Sequence, residues 1–340
     1  MDVQNILKRS LFIFFILIGL SVSAQDTKES DKHELIIFLT RSPHHLDWES
    51  PSSLFKTVKK SWFKTVSGKK GKRFLGHASF VLKSSLVEND SLWLGIAPSL
   101  YKEMKDLMFK EKIGLGLLGI AFDSEREDKK GIIENLSFNY KHAEVNFISI
   151  LLSKESASQI IEFINYFNAH QENYLFPPSS FYGGVFWPLY EGEGAGCTAL
   201  CLGAIESGGI YIDEEIKDQW LIQKKIPMDL VGGRFNQNKK IRLRDIKRRK
   251  HWYTGPGKPN KDYLDFEIYD PNYMMDWVND IISEGDYSTY FLTPKIELKG
   301  VQLDYRDIKP VYRFKEKLQV RPNPNIFTEH YNEMIKPEET

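Results

Sequence analysis

Short apolar runs separated by polar breaks set the rhythm of this chain, and most of its predicted elements follow from them. Leu35-Ile36-Ile37-Phe38-Leu39 is a continuous apolar run of strand length, so it reads as a buried strand. Phe74 to Leu82 carries a second strand pattern, introduced by the solvated turn Lys69-Lys70-Gly71-Lys72-Arg73. Glu88-Asn89-Asp90 is a turn signal, and Ser91 to Ala97 reads as the returning strand of a hairpin. Leu100 to Lys110 is amphipathic and predicts a helix, whereas Leu136 to Leu152 is rich in strand formers centred on Val145 to Ile150. Ser153 caps a further helix, in which Ile160, Ile161, Ile164 and Phe167 share one face that Phe163 widens.

Between these elements lie loops that invite a chemical reading. Ser42 to Trp48 contains the adjacent His44 and His45, but no Cys, His or carboxylate stands at a zinc-ligand spacing from them. Gly114, Gly116 and Gly119 have the spacing of a dinucleotide-binding turn. A helix precedes them and an acidic loop follows, so the segment reads as a strand or tight turn packed on another backbone. An aromatic stretch, Tyr174 to Pro178 and Phe181 to Pro188, suits either the wall of a cleft or packing beneath a long loop. It leads into Gly192-Glu193-Gly194-Ala195-Gly196-Cys197, a glycine-rich loop that runs into a helix beginning at Cys197.

The N-terminus has the organisation of a secretory signal: Lys8-Arg9, the apolar run Leu11 to Leu20, and Val22-Ser23-Ala24 at a cleavage site, which leaves Gln25 first. The apolar run is short for a membrane-spanning anchor, and no cysteine follows it for a lipid anchor. No later stretch is long and apolar enough to span, so no transmembrane segment is expected after cleavage. Lys+Arg and Asp+Glu balance at 46 each, which argues against nucleic acid as the main partner. The run from Lys239 to Lys250 is strongly basic and fits a solvated face or an anionic surface such as wall polymer or lipid headgroups. Only Cys197 and Cys201 occur, four residues apart on one predicted helix, where disulfide geometry is poor; both therefore read as thiols.

A thiol at a helix N-terminus sits beside unpaired N–H groups and the positive end of the helix dipole, which favours thiolate and hence nucleophilic chemistry. Such a nucleophile needs a base. Of eight histidines, His77 follows a glycine and opens a strand, where a sheet would hold it rigidly. Gly76-His77-Ala78-Ser79-Phe80-Val81-Leu82 and Gly194-Ala195-Gly196-Cys197-Thr198-Ala199 together resemble the histidine strand and cysteine helix of circularly permuted papain-like cysteine hydrolases, relatives of the NlpC-type cell-wall endopeptidases. The order, histidine first and cysteine later, is that of the permuted branch; the resemblance covers roughly residues 72 to 207 and leaves the C-terminal third unmatched.

That resemblance implies an α+β fold, with an antiparallel sheet packed on the cysteine-bearing helix and a C-terminal extension. The expected divisions are a signal at 1–24, an N-terminal segment at 25–71, a catalytic core at 72–207 and an accessory region at 208–340. It implies Cys197 as nucleophile, its own N–H as an oxyanion donor and His77 as general base, with no cofactor and no metal. For the third, orienting residue the returning hairpin offers Ser99, with Asp123 as another candidate. The expected activity is an exported, periplasmic or extracellular peptidase cleaving an amide, a cell-wall peptide, through a thioester. The alternatives are a lipid or ester acyl hydrolase or acyltransferase on the same fold, or an envelope binding protein without turnover.

Overall fold

A computed structural model of the chain describes residues 32–68, 73–99, 101–311 and 313–337. The signal sequence and its cleavage site lie outside the described residues, as does most of the basic turn before Arg73. In chain order the principal elements are β1 (His33–Thr40), α1 (Pro51–Val66), β2 (His77–Lys83), β3 (Ser91–Pro98), β4 (Phe122–Glu127), α2 (Lys129–His142), β5 (Val145–Leu152), α3 (Lys154–Asn168), β6 (Phe181–Tyr182) and α4 (Cys197–Ser207). They continue as β7 (Leu221–Pro227), α5 (Leu243–Arg248), β8 (Tyr263–Tyr269), α6 (Pro271–Ser283), β9 (Ser288–Thr293), β10 (Ile296–Tyr305) and α7 (Ile326–Ile335).

The fold is mixed α/β. Its main sheet has the order β6-β4-β3-β2-β1-β5-β10-β9 and is antiparallel except where β10 runs parallel to β5. The apolar run of β1 takes the centre because both faces of the sheet are covered. Leu35, Ile37 and Leu39 pack on the side that holds α3, α4 and α6, together with Phe80, Ile148, Ile150, Phe163, Leu200 and Met274. Ile36 and Phe38 point the other way, against Val81, Phe147 and the α2 residues Ile132 and Leu136. One strand thus feeds two cores by its period of two. A third cluster joins α1 to the two-stranded sheet of β7 and β8 through Leu54, Trp48, Trp252 and Phe266.

The expected boundaries at 71/72 and 207/208 do not divide this sheet. β1 comes from before the first, and β9 and β10 from after the second. From His33 onward the chain forms a single unit by its contacts. Two local expectations are also revised. The second half of helix α2, from Leu136 to His142, occupies residues read as strand formers; Asp128 caps the helix, its Oδ1 accepting from Gly131 N–H at 2.8 Å. The acidic stretch read as a loop is strand β4, which pairs with β3 from Gly95↔Glu127 to Pro98↔Ser124. Among the described residues no helix is long and apolar enough to cross a membrane.

Candidate active site

Helix α4 is apolar on every side and buried through almost its whole length, which makes it a core element. Its N-cap, Gly196, has no side chain to satisfy the first N–H groups, so these remain directed at whatever lies before the helix. Cys197 is the first helical residue. The preceding loop docks on β6: Ala195 N–H donates to Phe181 O and Gly183 N–H to Ala195 O, each at 3.3 Å. Only glycine fits at 194, where a Cβ would lie 2.2 Å from Phe181 O. Thr198 Oγ1 donates to Tyr269 O at 2.5 Å and ties the helix start to the end of β8.

His77 opens β2 and lies opposite Thr40 of β1. Its strand is steadied from α6: Asn272 accepts from Ser42 N–H at 2.8 Å, and its amide donates to Leu75 O at 3.4 Å and to Asp270 Oδ1 at 2.7 Å. The ring is buried, bonded through Nε2 to Glu127, and interacts with Cys197 as its other polar neighbour. Glu127 reaches it across a gap in the intervening strand. Ser79, Gly95 and Glu127 form one cross-strand row, and a Cβ on Gly95 would lie 2.7 Å from Glu127 Oε2. The other carboxylate oxygen accepts from Arg73 Nη2 at 2.6 Å.

These contacts set the charges. Burial opposes the imidazolium form of His77, but the charge of Glu127 and the interactions of the protonated ring with Cys197 and Glu127, which accept from it, outweigh it and lift the ring to about 9. Burial likewise disfavours an ionised Glu127, yet His77 and Arg73 hold it down at about 2. Burial would raise the Cys197 thiol; its hydrogen bond and charge interaction with His77, the N–H of Ala78 and the Tyr182 hydroxyl lower it instead. Tyr182 donates to Cys197 Sγ at 3.9 Å and is itself driven far upward, by burial first and then by the cysteine's charge. The pair therefore favours thiolate beside imidazolium, with Glu127 the carboxylate behind it.

The structure thus brings Cys197 and His77 together as interacting side chains and leaves Ser99 outside. Ser99 is exposed beyond the end of β3, and its N–H donates to Asp123 O at 2.8 Å. Asp123, at the other end of β4 from Glu127, is exposed as well. The residue facing the ring is Glu127, which the sequence reading missed because FDSERE has no apolar alternation to announce a strand. One trace was legible: Gly95 interrupts an otherwise apolar strand, as glycine does where another group approaches closely. Cys201 is fully buried one turn below, and burial pushes its thiol well upward.

A cleft of about 960 Å³ opens beside Cys197. Its walls include Trp48, Leu54, Val58, Trp187 and Tyr269, and Arg321 to Asn325 from the C-terminal third. That last segment also holds the cysteine loop. Arg321 grips the buried Glu193 carboxylate through two contacts of 2.6 Å and donates to Val185 O at 2.9 Å. Tyr331 donates to Gly192 O at 2.8 Å. Among the described residues no cluster of three metal-ligating side chains occurs, and His45 packs against the ring of Tyr273.

No protein-family model matches the chain, and no characterised protein or solved structure matches it.

Proposed function

We propose that the protein is a cysteine hydrolase of permuted papain-like architecture, with Cys197 as nucleophile, His77 as acid and base and Glu127 as the orienting residue. The observation that carries this reading is the arrangement of His77, buried between a cysteine at a helix N-terminus, with which it interacts, and a carboxylate bonded to its Nε2. With Nε2 turned to Glu127, Nδ1 is the nitrogen left for the thiol. The thiolate attacks a carbonyl carbon and a tetrahedral oxyanion forms. The Cys197 N–H at the uncapped helix start, and the Tyr182 hydroxyl, are the donors available to it. His77 then gives its proton to the departing amine, leaving a thioester. Water, deprotonated by the same ring, releases the acid.

The substrate we favour is an amide, in a cell-wall peptide, acted on outside the cytoplasm. The cleft supports it because its lining combines the exposed carboxylates Asp265, Glu267 and Glu329 with the aromatic Trp48, Trp187 and Tyr269, which suits an amine-bearing peptide. The apolar wall of Leu46, Leu54 and Val58 favours a second reading, in which the acyl group is that of a lipid ester. Two experiments separate these. An acylating thiol probe labels wild type at Cys197 and fails to label His77→Ala; equal labelling of both removes His77 as the base. Purified peptidoglycan and a fatty-acyl ester are then offered to wild type and to Cys197→Ala. Release of peptide fragments by wild type alone supports the amidase, release of fatty acid alone the second reading, and neither release overturns hydrolysis of both substrates.

A further inference from the structure

Helix α1 lines the cleft with Leu54 and Val58, and its opposite side faces solvent. There Lys56, Lys59, Lys60 and Phe63 fall at i, i+3, i+4 and i+7, on one arc of the helix. The three lysines are exposed, and no Asp or Glu occurs in the helix. Two apolar side chains are exposed with them, Phe63 at 53% and Val66 at 63%. Lys59 Nζ lies 5.4 Å from the Phe63 ring centroid, so cation and aromatic form one patch.

This face adjoins the basic run from Lys239 to Lys250. Ser52 bonds through its N–H to Arg249 O at 3.0 Å and through its hydroxyl to Lys247 O at 2.7 Å. Lys247 Nζ approaches the Phe55 ring to 5.5 Å. The run has eight Lys and Arg and one acid, Asp245, which is held by Arg242 and Arg244. A neighbouring carboxylate, Asp229, is held by Arg249. Helix and run together carry twelve of the chain's 46 basic residues and one of its 46 acidic residues. The zero net charge therefore conceals a locally basic surface.

Positive charge would suit any polyanion; the exposed Phe63 and Val66 discriminate. Apolar side chains gain nothing from a hydrated polymer, but they are stabilised at the boundary between headgroups and acyl chains. We propose that α1 and the adjoining basic run dock the protein on an anionic phospholipid bilayer. Because Leu54 and Val58 sit on the same helix, docking would bring the cleft within about one helix diameter, ~10–12 Å, of the headgroups. The proposal does not depend on Cys197 being a nucleophile.

The test is co-sedimentation of the full chain with phosphatidylcholine vesicles, with and without phosphatidylglycerol. Wild type pellets preferentially with the anionic vesicles, and the preference falls about tenfold or more as salt is raised. Each basic residue near such a surface strengthens binding roughly fivefold. Lys56→Glu with Lys59→Glu and Lys60→Glu then loses on the order of 100-fold, and Phe63→Ser several-fold. Retention on neutral vesicles, including any due to the apolar run Leu11 to Leu20, is the same in all of them. If the triple variant does not melt like wild type, Arg244→Glu with Arg248→Glu decides, with an expected loss of roughly 25-fold. Equal binding of wild type and the folded charge variants overturns the proposal. So does an unchanged Phe63→Ser whose vesicle binding is abolished by soluble polyphosphate, which would mark a polyanion site.

Discussion

Cys197 and Cys201 are the same residue type on the same helix, one turn apart and both buried, yet their thiols are pushed in opposite directions. At Cys201 burial dominates and the thiol stays protonated. At Cys197 burial acts in the same sense, but an imidazole, a backbone N–H and a tyrosine hydroxyl overcome it. The comparison holds helix and burial nearly constant, so the difference comes from what faces each sulfur. A buried cysteine is an inert packing group until the fold aims donors at it. Here that requires three strands: β2 for His77, β4 for Glu127 and β6 for Tyr182.

Substitution at the two cysteines tests the contrast most strongly. Cys197→Ala should abolish thioester formation and lower turnover by about 10⁴-fold or more. Cys201→Ala should leave turnover within about threefold and cost about 1 kcal/mol of stability, the loss of one small buried group. Intact-mass detection of the acylated protein, with denaturant melts, reads both. Comparable loss from both substitutions would dissolve the distinction. His77→Ala comes next, with acylation slowed by about 10²–10⁴-fold, measured as the rate of probe incorporation at saturating probe. Glu127→Gln should slow it by about 10–10³-fold while Ser99→Ala stays within about threefold; the reverse order would restore Ser99 as the orienting residue.

The smallest effect is on stability against pH. His77 is raised in the folded protein, from 6.5 to about 9, so its contribution is complete below 6.5 and is lost as pH rises through about 9. Glu127 is lowered, from 4.5 to about 2, so its contribution is present above 4.5 and is lost as pH falls towards 2. The melting-temperature gap between wild type and Glu127→Gln should therefore be widest between pH 4.5 and 6.5 and narrow on either side. A gap independent of pH would mean that the pair is not ionised in the folded protein.

Much of the scaffold was legible because it depends on local pattern. The apolar run at Leu35 to Leu39 became the central strand, the Glu88 to Asp90 turn joined β2 to β3, and Ser153 capped α3, accepting from Ser156 N–H at 3.1 Å. The loop-to-helix transition at Cys197 was equally plain, since glycines followed by helix formers need no distant partner. Helix α2 and strand β4 were not legible. Their polar sequences become helix and strand through the surfaces they meet, β3 supplying the ladder for β4. The C-terminal third showed no motif, yet its Arg321 and Tyr331 brace the cysteine loop across more than a hundred residues.

Residue order alone was enough to mark a cysteine at a helix start and a histidine opening a strand, because capping, periodicity and glycine usage act over a few residues. Assigning the partner of that histidine was not possible from order. Glu127 lies 50 residues beyond His77 and reaches it only because β3 lies between their strands with a glycine at the crossing point. Whether a carboxylate is a solvated surface charge, like Asp123 at one end of β4, or a buried counter-ion, like Glu127 at the other, depends on which side chains the sheet sets around it. Distance and desolvation decide that electrostatic outcome, and both are created by strand pairing between segments far apart in the chain.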